Sequence, residues 1–114
     1  MSTWVVVARI AGLAGRVSEL RRLLGERAAA AREESGCAGY EVAELLDEAA
    51  TFLVVETWSS ADAMRAHFGS EAHASYQHQV DELLTRPSQV LVHEVTSTTR
   101  PAPSTSPTDP GRFG

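Results

Sequence analysis

Along residues 1–97, segments with the apolar spacing of a β-strand alternate with segments that have the apolar spacing of an α-helix. The order of these segments constrains the fold more strongly than any other feature of the sequence. A Val-rich apolar run begins at Trp4. Apolar residues spaced three and four apart from Val17 to Ala31 then predict a helix over residues 16–34. Two more helical segments come between the third and fourth strands. The strands are predicted at residues 4–11, 39–46, 51–58 and 88–96.

This order is β-α-β-β-α-β, which predicts an α+β, ferredoxin-like fold with a four-stranded antiparallel sheet and all helices on one face. The two helical segments after the third strand begin at serines. Ser59, with Asp62 three residues later, is predicted to cap the first of them, and Ser70 is predicted to cap the second. Both segments would then pack on the same side of the sheet as the long first helix.

The strands are apolar on both faces, unlike those of a sheet with one wet face. In the first strand Val5 and Val7 point away from Val6, and in the third strand Leu53 points away from Val54. The face without helices therefore needs a cover, and a second copy of the chain is the simplest one. We expect a homodimer formed through this face, with a hollow between the helices and the sheet of each protomer free for a ligand.

Composition changes near the end of the chain, where residues 98–114 carry four of the five prolines among Ser, Thr and Gly. Such a segment has little apolar surface to offset its ordering entropy. We expect one folded domain over residues 1–97 and a flexible tail over residues 98–114.

Charge and apolar content exclude several classes of function. Fifteen acidic against ten basic residues give a net charge of −5, which disfavours binding to a nucleic-acid backbone. No apolar run approaches the roughly 20 residues of a membrane span, and no basic segment precedes the first apolar run. A single cysteine, Cys37, excludes an internal disulfide. We expect a cytoplasmic protein with no nucleic-acid or membrane partner.

Three groups of spaced residues over residues 4–96 resemble the antibiotic biosynthesis monooxygenase domain family. They are a Gly-Cys-x-x-Tyr strand start, a Glu-x-Trp strand end, and an Ala-His helix followed by a second His. In this chain they are Gly36, Cys37 and Tyr40, then Glu56 and Trp58, then Ala66, His67 and His73.

The resemblance implies a dimeric α+β barrel and a small enzyme that oxidises electron-rich aromatics, often polyketide phenols, to quinones. Such enzymes need no metal, flavin or haem. A phenolate can itself pass an electron to dioxygen, so the protein has to bind the ring, remove a proton and exclude water. We therefore predict a cofactor-independent monooxygenase that acts on a phenolic or polycyclic aromatic substrate.

Two histidines are the candidate catalytic residues. His67 adjoins the apolar stripe of its helix, and a neutral imidazole there can accept a phenolic proton. His73 opens the next helix, where the helix dipole favours the neutral form. The structural alternatives are a half-buried His67 that hydrogen-bonds the sheet near Glu56, and a solvent-facing His73.

Six further residues are candidate substrate-binding residues. Aromatic side chains can stack on an aromatic ligand, although each can equally belong to the core. Glu56 needs a partner on its face of the sheet, and a structural pair with Arg9 is the alternative to a role in binding. The candidates are Trp58, Tyr40, Glu56, Arg9, Phe68 and Tyr76.

Other functions remain open at this point. One is a non-oxidative isomerase or cyclase, and another is a ligand-binding dimer without turnover. Haem degradation is disfavoured because the chain has no Asn and places Gln77 near the position of an axial His. A metal site is not expected, since His73 and His78 are five residues apart and do not share a helix face.

Overall fold

The computed structural model describes residues 2–103, and it confirms the predicted order of strands and helices. A single 3₁₀ turn, Ala14–Arg16, precedes the first helix. The strands are β1 (Thr3–Ala11), β2 (Cys37–Glu44), β3 (Thr51–Trp58) and β4 (Gln89–Val95). The helices are α1 (Val17–Arg32), α2 (Ala61–Phe68) and α3 (Glu71–Asp81).

The four strands form one antiparallel sheet in the order β2-β3-β1-β4. Val6 of β1 lies opposite Glu56 of β3 and opposite Val92 of β4. Because side chains alternate along a strand, this register places Val6, Glu56 and Val92 on the same face as the helices. The core lies between this face and α1, and it includes Phe52 and Val54 of β3.

Helix α1 packs on the sheet through the apolar stripe predicted from its spacing. Leu20, Leu24 and Ala28 are all buried, and they recur every four residues along one helix face. The helix ends at Arg32, and Gly36 then turns the chain into β2 with a φ of 82°. Glycine adopts this left-handed conformation without the steric cost that other residues meet.

Serine caps begin both short helices, with one correction to the sequence prediction. The side chain of Ser60, not that of Ser59, accepts a hydrogen bond from the Ala63 amide at the start of α2. Ser70 accepts a hydrogen bond from the His73 amide, as predicted. The two caps mark the starts of α2 and α3, which Gly69 and Ser70 separate.

Some boundaries and faces differ from the predicted ones. Strand β2 ends at Glu44, and Leu46, which was predicted to be the last residue of this strand, is fully exposed in the connection to β3. Helix α3 ends at Asp81, and Ala72 is exposed, so the helix packs through Tyr76 and Val80. The apolar pattern therefore extends past the end of β2, and in α3 it includes an alanine of the first turn that is not buried.

The sheet keeps apolar side chains on the face that carries no helices. Val55 and Leu91 are exposed there, and Val5, Val7 and Leu53 are partly exposed. Within residues 2–103, no helix combines the length and hydropathy needed to cross a bilayer. Residues 98–103 form neither helix nor strand, and the rest of the expected tail lies outside the described residues.

Candidate active site

A small cavity lies between the inner face of the sheet and helices α2 and α3. Its volume is about 40 Å³, enough for a few water molecules and far below the roughly 300 Å³ of a typical small-molecule pocket. Side chains therefore fill most of the hollow that the sequence led us to expect. The polar residues of its wall are Tyr40, Glu56, His73, Tyr76, Gln77 and Ser88.

Glu56 places a buried carboxyl group in the wall of this cavity. The residue is 4% exposed, and the indole Nε1 of Trp58 donates a hydrogen bond to its Oε1 over 3.0 Å. Burial raises the pKa of Glu56, while the Trp58 hydrogen bond and the charge of Arg27 oppose the shift. A carboxyl group with a raised pKa is suited to exchanging a proton with a ligand near neutral pH.

His67 lies behind Glu56 and is completely buried. Its Nδ1 is 3.1 Å from Nη2 of Arg27 and 3.1 Å from both carboxylate oxygens of Glu34. Its Nε2 is 3.6 Å from Oε1 of Glu56 and has no hydrogen-bond partner among the described residues. Burial lowers the pKa of His67, which favours the neutral ring.

His73 reaches the cavity from the first turn of α3. It is half-buried, and its ring centroid is 4.9 Å from that of His67 and 5.1 Å from that of Phe68. Burial, followed by repulsion from His67, lowers its pKa to about 4. Its Nδ1 is buried without a hydrogen-bond partner in the part of the chain that the structure describes. His73 therefore contributes a neutral ring to the cavity wall.

Two tyrosines and a phenylalanine complete the wall on the helix side. Burial raises the pKa of Tyr40 far above its ordinary value and raises that of Tyr76 to about 12. Both phenol groups therefore remain protonated at neutral pH and can donate hydrogen bonds. The guanidinium of Arg27 lies 5.7 Å from the Tyr76 ring centroid, and Phe68 closes the cavity at the end of α2.

Two of the predicted binding residues are placed elsewhere. Arg9 pairs with Glu48 on the opposite face of the sheet, so the expected pair with Glu56 is wrong. The alternation of β1 explains the difference, because Val6 faces the helices and Arg9, three residues later, faces away. Trp58 is fully buried against the His67 ring, with centroids 4.6 Å apart, and does not line the cavity.

The structure adds two charged residues that the sequence analysis missed. Arg27 is 6% exposed on the buried stripe of α1, and its Nη2 lies 3.5 Å from Oε2 of Glu34 just beyond the helix. The sequence did carry a signal for Arg27, since it falls between Leu24 and Ala28 on the apolar face. Glu34 had no such signal, because only the folded chain brings it next to His67.

The candidate site thus combines a buried carboxyl group, the His73 imidazole and two phenol groups around a small cavity, with the His67 ring behind the carboxyl group. Among residues 2–103, no group of three or more His, Cys, Asp or Glu side chains is arranged to hold a metal ion. The arrangement can bind one polar edge of a ligand, remove a proton from it through Glu56, and keep water away from the reacting atoms.

Comparisons with known proteins agree with the fold. A protein from Mycobacterium tuberculosis, Rv0793, which is provisionally named a monooxygenase, is 37% identical over 87 residues, covering 76% of this chain and 85% of the relative. The structure of Rv0793 superposes with a TM-score of 0.75 at 33% identity and covers 92% of this chain and 100% of its own.

Two other solved structures share the fold. One is described as an antibiotic biosynthesis monooxygenase of provisional assignment from Deinococcus radiodurans, with a TM-score of 0.83, 24% identity, and coverage of 88% of this chain and 99% of that one. The other is SO0527 from Shewanella oneidensis, with a TM-score of 0.76, 26% identity, and coverage of 82% of this chain and 90% of that one.

The family model described as antibiotic biosynthesis monooxygenase matches residues 3–79, which include β1 to β3, α1, α2 and most of α3. The matched residues include Tyr40, Glu56, His73 and Tyr76 of the cavity wall and the buried His67. The resemblance seen in the sequence is therefore confirmed, and this chain belongs to the antibiotic biosynthesis monooxygenase family.

Proposed function

We propose that this chain is a monooxygenase that oxidises an electron-rich phenol with dioxygen, and that Glu56 accepts the phenolic proton. The family and the name of its relative support a monooxygenase-type activity. The observation that carries the assignment to Glu56 is its position, since its buried carboxyl group lines the cavity and its pKa is raised. His67 was the first candidate for this role, but its ring lies behind Glu56 and does not line the cavity.

The proposed reaction balances without an added reductant. Glu56 takes the proton of the phenol, and the phenolate passes an electron to dioxygen and then forms a carbon–oxygen bond with it. One oxygen atom stays on the ring as the new quinone oxygen, and the other leaves as water. The ring supplies all four electrons, so the protein has to bind, deprotonate and shield the substrate. We expect no metal, flavin or haem to be required.

The size of the cavity determines how a substrate is placed. A volume of about 40 Å³ admits the hydroxyl-bearing edge of one ring, not a polycyclic molecule. The inner face of β4 continues from the cavity at Val90, which is 48% exposed, and extends to Val92, which is 47% exposed. We propose that the phenolic edge enters beside Glu56 and that the rest of the substrate lies on this apolar surface.

Labelled dioxygen tests this function. The purified protein, with no added cofactor, would be incubated under ¹⁸O₂ with single-ring phenols and with hydroxyanthracenes in which the carbon para to a hydroxyl group carries hydrogen. We expect a quinone that carries one labelled oxygen, with one dioxygen consumed per product. The absence of oxygen uptake across the panel would contradict the proposal. An isomerised product formed without oxygen uptake would favour the non-oxidative alternative, and binding without any product would favour a ligand-binding protein.

We also propose that the protein is a homodimer joined through the face of the sheet that carries no helices. That face presents Val5, Val7, Leu53, Val55 and Leu91, which are exposed or partly exposed to solvent. Burial of apolar surface contributes about 25 cal/mol per Å², so covering a few hundred Å² stabilises an assembly by several kcal/mol. A second copy offers the same apolar face and fits around a two-fold axis.

A further inference from the structure

We propose that Glu34, His67 and Glu56 form a proton relay that connects the cavity to solvent, with Glu34 as its outer end. The inference deepens the proposed function and rests on it, because the proton it carries is the one that Glu56 takes from the substrate. The relay itself is a property of three side chains and can be tested without any substrate.

The three residues connect the cavity wall to the protein surface. The side chain of Glu56 is 5% exposed and lines the cavity, and that of His67 is 0% exposed. The side chain of Glu34 is 29% exposed, so its carboxylate can exchange protons with water. His67 directs Nε2 towards Glu56 and Nδ1 towards Glu34. An imidazole can accept a proton on one nitrogen and release another proton from its second nitrogen.

Two partners compete for Nδ1 of His67. The Arg27 guanidinium, 3.1 Å away, can only donate a hydrogen bond, whereas the Glu34 carboxylate, also 3.1 Å away, can only accept one. In the first arrangement Nδ1 accepts from Arg27, and Nε2 carries the proton and faces an ionised Glu56. In the second, Nδ1 carries the proton and donates it to Glu34, and Nε2 can accept from a protonated Glu56.

The proton count closes over one turnover. Glu56 takes a proton from the substrate and passes it to Nε2 of His67. Nδ1 then releases its own proton to Glu34, which passes it to water. The ring is left protonated at Nε2, and Arg27 donates to the vacated Nδ1. Formation of the water product resets the relay. Glu34 returns a proton from solvent to Nδ1, Nε2 gives its proton back to Glu56, and Glu56 protonates the oxygen atom that leaves as water. The second proton of that water comes from the ring carbon that is oxidised.

Proton transfer between His67 and Glu56 requires their side chains to move closer together. Their closest atoms are 3.6 Å apart, which exceeds hydrogen-bond range by roughly half an ångström. Contacts of this length in a site without ligand commonly shorten when the substrate is bound. The unpartnered Nε2 of His67, judged within the described residues, is in position to close this gap.

Burial and the charge of Arg27 favour a neutral His67 ring, whereas the Glu34 carboxylate opposes them. Arg27 and Glu34 approach it from the α1 side, Glu56 from β3, and His73 from α3. The two cavity tyrosines have raised pKa values and keep their protons. A neutral His67 can carry its proton on either nitrogen, and the charge of Glu56 decides which nitrogen is protonated.

Nitrogen NMR of His67 tests the relay directly. Two-bond ¹H–¹⁵N spectra would be recorded across the titration of Glu56, which is followed by its side-chain carboxyl ¹³C shift. We expect a neutral ring throughout, with the proton on Nδ1 below the Glu56 pKa and on Nε2 above it. Glu56→Gln should abolish this change. A single tautomer of wild-type His67 across the whole titration would overturn the proposal.

A kinetic comparison tests the outer end of the relay. Glu34→Gln should lower kcat about tenfold, enlarge the solvent isotope effect and leave KM unchanged, because it slows proton release without altering the cavity. Glu26→Gln on the exposed face of α1 is the matched control, and we expect it to keep the kcat, KM and solvent isotope effect of wild type. Wild-type kcat and isotope effect in Glu34→Gln would overturn the role of Glu34. If the wild-type protein oxidises no phenol, the proposed function fails, and the NMR experiment still decides the relay.

Discussion

At the scale of single residues, Arg27 places a permanent positive charge inside the interface between α1 and the sheet. Its guanidinium lies 3.5 Å from the Glu34 carboxylate and 3.1 Å from Nδ1 of His67. It also opposes the rise in the pKa of Glu56. Arg27 thus limits the cost of holding two carboxyl groups close together around a buried histidine.

We predict that Arg27→Met lowers the free energy of unfolding by about 2 to 4 kcal/mol. Removing one partner of a buried ion pair leaves the other charge uncompensated, and the partial exposure of Glu34 reduces the loss. Urea denaturation measures the change. Arg22→Met is the matched control on the exposed face of α1, where we expect a change within about 0.5 kcal/mol. Equal losses in the two variants would contradict this account of Arg27.

We predict that His73 makes the protein less stable as the pH falls. The pKa of folded His73 is about 4, against an ordinary value of 6.5, so between these values the unfolded chain binds a proton that the folded chain does not. The free energy of unfolding therefore decreases as the pH is lowered through this window. Glu56 has the opposite effect on the free energy of unfolding. Because its pKa is raised in the folded protein, the folded chain binds the additional proton, and this contribution increases as the pH is lowered.

Urea denaturation of His73→Phe at several pH values isolates this contribution. The phenylalanine keeps the ring contact with Phe68 and removes the titration, so the stability of this variant should depend less steeply on pH than that of wild type. His78→Phe, at an exposed position of α3, should keep the wild-type slope. If the stability of His73→Phe depended on pH as steeply as that of wild type, the proposed contribution of His73 would be contradicted.

At the scale of elements, the corner between α1, β2 and α2 depends on one glycine. Gly36 has a φ of 82°, and a Cβ atom there would lie 2.4 Å from Cβ of Ala63 in α2. The Gly36 carbonyl also accepts a hydrogen bond of 2.8 Å from the Ser59 amide. Close approach of these backbones places α2, and with it His67, above Glu56.

We predict that Gly36→Ala lowers the free energy of unfolding by about 1 to 3 kcal/mol, since both the conformation and the space oppose a side chain. Gly25→Ala is the control in the exposed interior of α1, where a Cβ meets nothing within 4 Å. That variant should be more stable than wild type by about 0.5 to 1 kcal/mol. Thermal or urea unfolding measures both changes. If both variants changed the free energy of unfolding in the same direction, this account of Gly36 would be contradicted.

The order of the elements was predictable from the sequence because each element carries its own hydrophobic period. Their ends were less predictable. Leu46 continues the alternation of β2 but lies beyond the last paired residue, and Ser59 precedes the serine that caps α2. These ends are set by backbone hydrogen bonds and by the approach of neighbouring elements, which the hydrophobic pattern does not encode.

The site was predictable only in part, for a physical reason. His67, His73, Tyr40 and Glu56 have recognisable positions on their elements, and the structure brings all four together. Which of them faces the cavity depends on packing, and so does the position of Glu34 beside His67. The alternation of side chains along β1 could have excluded Arg9 from the cavity face of the sheet. That conclusion required a comparison with the alternation along β3, which carries Glu56.

At the scale of the whole molecule, the two faces of the sheet have different roles. The inner face supports the cavity, and the outer face is the proposed dimer interface. We predict that sedimentation velocity gives a particle with twice the mass of one chain. Leu91→Glu, which places a charge on the outer face at a residue that is 63% exposed, should produce a monomer.

Leu46→Glu is the matched control for this experiment, because Leu46 is fully exposed in the connection between β2 and β3. We expect that variant to sediment as a dimer. A wild-type protein that sediments as a stable monomer at micromolar concentration would contradict the dimer. The cytoplasmic location stays a prediction from the sequence.

The most direct test of the central proposal is the rate of dioxygen consumption by Glu56→Gln with a phenol that the wild-type protein oxidises. The amide oxygen of the substituted side chain can still accept the Trp58 hydrogen bond, so the fold and the cavity should persist while the proton acceptor is lost. We predict that kcat falls about 100-fold or more and that the circular dichroism spectrum is unchanged. Glu44→Gln is the matched control and should be as active as wild type. A Glu56→Gln variant that consumes dioxygen at the wild-type rate would contradict the account.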